Sequence, residues 1–378
     1  MKKILFLTGT RADFSKIKSL ITILEKQQEF EVFVFVTGMH LQELYGYTLI
    51  EIERCKFKNI HTFRNHTHET TMDLTLAKTI EGLSAYCKVI SPDMIIVHGD
   101  RVETLAGAIV GSLNNILVAH IEGGEVSGTV DELIRHSVSK LSHIHFVSNN
   151  QAQKRLIQMG EIKESIFTIG SPDVDIMFSN QLPDLKTAKE YYKINFEKYA
   201  IVMFHPVTTE IKDMQQYAEN FVNSLLNDTH NYIVIFPNND LGNQFILEEY
   251  KKLKDSSRFR IFPSLRFEYF LTLLKNSQFI IGNSSAGIRE APYYGIPIIN
   301  IGTRQQNRTF NADIINTDYS VIGIKNALSI IISHKVISVE GNFGQGNSNE
   351  LFLESIQKQN IWKLNHQKQF RDLSNIIK

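Results

Sequence analysis

The sequence predicts an α/β protein made of two doubly wound Rossmann-like domains facing across a cleft. Three observations carry that expectation. Short apolar runs end repeatedly in polar, glycine-bearing turns, as buried parallel strands do. Helix-length segments with apolar residues at helical spacing separate those runs. The alternation runs twice through 378 residues, a length that one hydrophobic core seldom serves.

In chain order, Lys3–Thr8 is the first strand and Gly9-Thr10-Arg11-Ala12-Asp13 a polar turn. A helix follows with Ile17, Leu20, Ile21 and Leu24 at helical spacing. Phe30–Thr37 and Ile60–Phe63 are strands, and Leu74–Val89 a helix. Met94–Val97 and Ile116–Ile121 end in His98-Gly99-Asp100-Arg101 and Glu122-Gly123-Gly124-Glu125. His145–Ser148 and Phe167–Gly170 close a first domain over residues 1–170, punctuated by Gly170-Ser171-Pro172. Residues 171–350 repeat the pattern, with strands at Tyr199–Phe204, Tyr232–Phe236, Phe279–Gly282 and Ile296–Ile301. The last stretch, Asn349–Lys378, is polar and helical in character, and residues 351–378 are expected to pack back on the first domain.

Forty basic side chains balance forty acidic ones, which argues against nucleic acid as a partner. Cys55 and Cys87 stand far from any CxxC spacing and point to a reducing compartment without disulfides. Met1-Lys2-Lys3 runs straight into the first strand, leaving no signal-peptide core. No apolar run approaches the ~20 residues that span a bilayer. The expectation is a soluble cytoplasmic protein with no membrane partner.

In open α/β sheets, ligands bind outside the carboxyl ends of the strands. Asp100 and Glu122 sit at two consecutive strand ends. Thr129-Val130-Asp131-Glu132 reads as a capping box, placing Asp131 in a first helical turn. Arg135 follows one turn on, beside the stripe Val130, Leu133, Ile134, Val138 and Leu141. A helix dipole alone favours an early carboxylate, and Asp100 with Arg101 suits a surface ion pair. The bracketing Gly99, Gly123, Gly124 and Gly128 let backbone approach a ligand, which favours a convergent reactive cluster.

The second domain offers Gly-Asn-Ser-Ser-Ala-Gly at 282–287, after a strand and opening a helix that carries Arg289 and Glu290. Free backbone N–H groups there suit a phosphate; a serine-capped turn is the alternative. The motif is neither a Walker A nor GxGxxG. Arg11, His205 and Arg304 on other loops complement a diphosphate. His66-Thr67-His68-Glu69 lies in a loop-like stretch, and no metal is expected from it.

Taken together, LTGTRADFSKIK, TGMH, HGDR, HIEGGEVSGTVDELIRHSVSKLSHIH, GSPD, MFHPVTTE, PNND, FPSLRFEYF, GNSSAGIREAP and GTRQQNR span most of the chain. In that order they resemble the UDP-N-acetylglucosamine 2-epimerase family, and HIEGGE followed by SGTVDELIRH resembles its hydrolysing branch. The resemblance implies a GT-B-type fold, a UDP-sugar as small-molecule substrate, no cofactor, no metal, and a homo-oligomer (dimer or tetramer). It implies Asp100, Glu122 and Asp131 as catalytic carboxylates. Arg11, Ser15, Arg101, His205, Asn238, Ser284, Ser285, Glu290 and Arg304 fall on its nucleotide-contacting positions, Glu290 at the ribose. Phe270 falls near the uracil. The implied reaction converts UDP-N-acetylglucosamine and water to UDP and N-acetylmannosamine for sialic acid synthesis. It proceeds by anti elimination to a glycal and hydration with the opposite C2 configuration. The rival substrate is UDP-2,4-diacetamido-2,4,6-trideoxyglucose, used for legionaminic acid. A non-hydrolysing epimerase, a glycosyltransferase of the same fold and an inert nucleotide-sugar sensor are the other readings.

Overall fold

The computed structural model describes residues 1–66, 71–127, 130–180, 182–305, 314–331, 333 and 343–372. The chain divides into two compact units. Met1–Glu125, Asp131–Ser179 and Asn342–Lys378 form the first; Val126–Val130 and Asn180–Gly341 form the second.

The first unit is built on β1 (Lys2–Thr8), β2 (Phe30–Val36), β3 (Asn59–Thr62), β4 (Met94–His98), β5 (Leu117–Ile121), β6 (Ile144–Val147) and β7 (Ile166–Thr168). They pair in parallel in the order β3-β2-β1-β4-β5-β6-β7. Ile4, Leu5 and Phe6 of β1 and Ile95 of β4 are wholly buried, as expected of strands covered by helices on both faces. Chain winding reverses between β1 and β4, so the loops after Thr8 and His98 flank a topological switch point.

The second unit repeats the plan with β8 (Ala200–Met203), β9 (Tyr232–Ile235), β10 (Phe259–Phe262), β11 (Ile280–Gly282), β12 (Ile298–Ile301) and β13 (Ile314–Thr317). Their order is β10-β9-β8-β11-β12-β13, again parallel, with the switch between β8 and β11. Strands β10 and β13 were not expected from the sequence. Both are sheet edges and only partly buried, so polar residues such as Arg260 and Asn316 break up their apolar pattern.

The first unit is discontinuous. The helix Pro172–Met177 packs with the helices Arg11–Leu24 and Ser348–Ile356, so the change of unit falls after Ser179 and not at residue 170. The Asp175 carboxylate accepts the Ser348 and Asn349 N–H groups at 2.8 and 2.9 Å, satisfying two orphan donors of the later helix. Phe352 and Ile356 are wholly buried in the same core as Ile17 and Leu20. The expected C-terminal helix stops at Ile356, followed by a 3₁₀ turn at Gln359–Lys363. Residues 364–372 carry no apolar stripe, and Phe370 is 92% exposed, so nothing pays for a buried helical face there.

The irregular segment is held by charge. The buried Glu161 carboxylate receives Lys140 Nζ at 2.8 Å, Lys368 Nζ at 2.6 Å and His145 Nε2 at 3.0 Å. Lys368 also donates to the Ser139 and Ser142 carbonyls at the end of the helix Val130–Leu141. Burial raises Glu161, but His145, Lys368 and Lys140 outweigh it and bring the carboxyl down to about 2. Burial also pushes His40 and His120 down to about 3.

These shifts share a sign. A histidine depressed on folding binds fewer protons than in the unfolded chain, so its contribution is full above about 6.5 and lost as pH falls. Glu161, depressed from 4.5, adds a loss between 4.5 and about 2. Unfolding free energy is expected to fall below pH 6.5 by about 2–3 kcal/mol per pH unit from His40 and His120 together. Denaturant titrations at stepped pH measure this, and a flat profile from pH 6.5 to 4.5 would contradict it.

Candidate functional site

In the first unit the predicted residues gather at the carboxyl ends of β1, β4 and β5. The capping box Thr10–Asp13 starts the helix Arg11–Leu24. Asp13 accepts the Gly9 and Thr10 N–H groups at 2.9 and 3.1 Å, which fixes the turn that carries Arg11. Ser15 is buried and its hydroxyl donates to Ala12 O at 2.8 Å, within its own helix.

Glu122 follows β5 at φ +67°, a left-handed conformation that a glutamate adopts only at a cost. Its carboxylate is buried and lies 3.3 Å from Lys16 Nζ and 3.3 Å from His98 Nε2. Ser171 Oγ donates to it at 2.8 Å. Lys16 Nζ also lies 3.5 Å from Asp173, so one ammonium serves two buried carboxylates.

Asp100, after β4, is bound by Arg135. Arg101, weighed from the sequence as a surface partner for Asp100, has its Nε 3.9 Å from Glu103. Arg135 is 1% exposed and also donates to Glu125 O at 3.3 Å. It lies on the helix Val130–Leu141, one turn after the partly buried Asp131. That helix thus joins two of the predicted carboxylates. Its stripe is narrower than expected: Ile134 and Val138 are buried, but Leu133 is 66% exposed. Thr129, the predicted cap, and Gly128 lie outside the described residues.

His120 locks this corner. Its Nε2 donates to Gly99 O at 2.8 Å and its Nδ1 meets Ser139 Oγ at 3.0 Å. Gly123 is needed beside it, because a Cβ there would lie 2.9 Å from both of those side chains.

In the second unit, His205, Asn238, Ser284, Ser285 and Arg304 occupy the loops after β8, β9, β11 and β12. Asn238 N–H donates to His205 Nδ1 at 3.0 Å, and Arg304 Nη1 donates to Asn283 O at 3.3 Å. Ser284 Oγ accepts Ala286 N–H at 3.3 Å. The helix after this loop spans only Ala286–Arg289, with the buried Glu290 as its C-cap. Four residues align few peptide dipoles, so side chains and not a macrodipole would have to hold an anion here. Phe270 is 4% exposed, with its ring 6.4 Å from that of Phe267.

Lys16, His98, His120, Arg135, Ser171 and Asp173 were not singled out as site residues by sequence reasoning. A signal existed for Lys16, a cation between the core residues Phe14 and Ile17 on one helix. Among the described residues no group of three or more His, Cys, Asp and Glu side chains is placed to hold a metal. Thr67–Glu69 lie outside them. No helix among the described residues is long and apolar enough to cross a membrane.

Comparison with known proteins identifies the family and the fold. The family model for UDP-N-acetylglucosamine 2-epimerase matches residues 22–357. The chain is 49% identical to the UDP-N-acetylglucosamine 2-epimerase of Neisseria meningitidis serogroup B, over 99% of this chain and 100% of that one. It is 32% identical to the UDP-N,N'-diacetylbacillosamine 2-epimerase (hydrolyzing) of Legionella pneumophila, over 93% and 94%. The crystal structure of UDP-GlcNAc 2-epimerase from Neisseria meningitidis bound to UDP-GlcNAc shares the fold, with TM-score 0.79, 18% identity and coverage of 94% and 99%. With the model spanning most of its length and a near-half-identical relative matched end to end, the chain belongs to the UDP-N-acetylglucosamine 2-epimerase family.

Proposed function

We propose that this protein is a hydrolysing UDP-N-acetylglucosamine 2-epimerase, releasing UDP and N-acetylmannosamine for sialic acid synthesis. The observation that supports it best is the pair of unlike carboxylate settings at neighbouring strand ends. Asp100 is held against the buried Arg135, a fixed negative charge. Glu122 is buried with its carboxylate 3.3 Å from both His98 Nε2 and Lys16 Nζ. The C2–H of an N-acetylhexosamine is barely acidic, so it leaves only as the C1–O bond to UDP breaks and positive charge grows at C1. One carboxylate then takes the proton while another stabilises the oxocarbenium-like centre. Hydration of the glycal from the opposite face needs a second acid, for which Asp131 is the third carboxylate.

In this reading Arg11, Ser15, Arg101, His205, Asn238, Ser284, Ser285, Glu290 and Arg304 contact the nucleotide, Glu290 at the ribose, and Phe270 lies near the uracil. The Legionella relative is a hydrolyzing 2-epimerase, and the Neisseria relative is a UDP-N-acetylglucosamine 2-epimerase.

Incubation with UDP-N-acetylglucosamine in deuterated water should give UDP and free N-acetylmannosamine carrying deuterium at C2. UDP-linked epimer alone would sink the hydrolytic reading. Turnover only of the diacetamido-trideoxy nucleotide sugar would move the substrate.

A further inference from the structure

The loop after β11 holds a residue whose contacts exceed those of a turn. Asn283 is wholly buried. Its Oδ1 accepts His205 N–H at 2.7 Å and its Nδ2 donates to His205 O at 2.9 Å. That bidentate contact copies a peptide pairing and demands one donor and one acceptor, which aspartate lacks. The approach is made possible by Gly282, at φ +137°, where a Cβ would lie 2.0 Å from Met203 O. The Asn283 carbonyl in turn accepts Arg304 Nη1 at 3.3 Å and Gln305 Nε2 at 2.8 Å. One residue thus ties the loops after β8, β11 and β12.

The His205 ring is fixed from the other side. Asn238 N–H points its proton at Nδ1, so Nδ1 carries the lone pair and the ring proton sits on Nε2. The opposite tautomer would set two N–H groups against each other. We propose that Asn283 is a positioning residue that fixes the His205 backbone so that the ring stays seated on Asn238 N–H as its Nε2–H tautomer, and that sets His205 and Arg304 from a single anchor around one anion, the diphosphate of a nucleotide sugar. The diphosphate rests on the function proposed above; the tautomer does not. An Nε2–H donor and a guanidinium both strengthen as negative charge moves onto the leaving phosphate, so the anchor acts on bond breaking more than on ground-state binding.

The test uses the full chain labelled with ¹⁵N-histidine, with the His205 signal assigned by its loss in His205→Gln. In the wild type, the expected spectrum shows a protonated Nε2 and an unprotonated Nδ1. Asn283→Ala should mix the tautomers and lower kcat by about 10–100-fold, on the scale of a lost preorganised donor or less, with a smaller change in UDP affinity. Asn283→Gln, which keeps both amide functions, should recover part of the rate; Asn283→Asp should not. A wild-type His205 in the Nδ1–H form overturns the proposal without any variant being needed. So does Asn283→Ala with unchanged tautomer and kcat. Failure of the wild type to bind UDP would instead overturn the proposed function and leave the tautomer assignment standing.

Discussion

Glu122→Gln is expected to lower turnover by about 10²–10⁴-fold, the usual worth of a general acid–base group, while UDP affinity stays near that of the wild type. The amide keeps the size of the side chain and its contact with Ser171, but it cannot act as the base that the proposed mechanism requires. Steady-state kinetics and a UDP titration on one sample measure the two quantities. Equal losses in both would remove Glu122 from the chemistry. Asp100→Asn and Asp131→Asn sharpen the comparison. Asp100→Asn removes the charge that Arg135, 1% exposed, binds, so both turnover and melting temperature should fall. For Asp131→Asn, a role confined to the helix dipole is worth roughly 0.3–1 kcal/mol and would leave turnover within a few-fold. A catalytic role would show in turnover with little change in melting temperature.

Lys16→Met should be the most destabilising single change at the site. Its ammonium is 10% exposed between Glu122 and Asp173, whose side chains are 6% and 1% exposed. Removing it takes the ammonium away from two buried carboxylates, and deleting one partner of a buried ion pair typically costs about 3–5 kcal/mol. Asp173→Asn introduced into the same background should restore part of the loss, because it deletes one of the two carboxylates that Lys16 serves. Chemical denaturation of the two single variants and the double measures the coupling. Strict additivity would mean that Lys16 and Asp173 do not share the interaction.

The two sheets were legible in the sequence because their central strands are buried on both faces and read as uninterrupted apolar runs, such as Ile4–Leu7 and Tyr232–Ile235. The edge strands Phe259–Phe262 and Ile314–Thr317 were not legible, since a half-exposed strand admits polar residues anywhere. The strand-end position of Asp100 and Glu122 was legible for the same reason as the strands. Their partners were not, because Arg135 and Ser171 lie 35 and 49 residues away from the groups they touch. Pairing at that separation is decided by topology, not by local spacing. Lys16, His98 and Asp173 escaped notice together for this reason, although each contacts a residue of the same small cluster.

The helix Ser348–Ile356, seated on the helix Arg11–Leu24, sets a timetable for biosynthesis. The stretch Asn180–Gly341 is one run of chain and can complete its own sheet as soon as it leaves the ribosome. The unit begun at Met1 cannot be completed until residues beyond Asn342 emerge, roughly 10–30 s after Ser179 at ordinary elongation rates. During that interval Ile17, Leu20 and the surrounding apolar surface lack the cover that Phe352 and Ile356 later supply. The half of the molecule that is made first is therefore the half that finishes last, and nascent chains stalled before Ser348 should be the ones that chaperones hold.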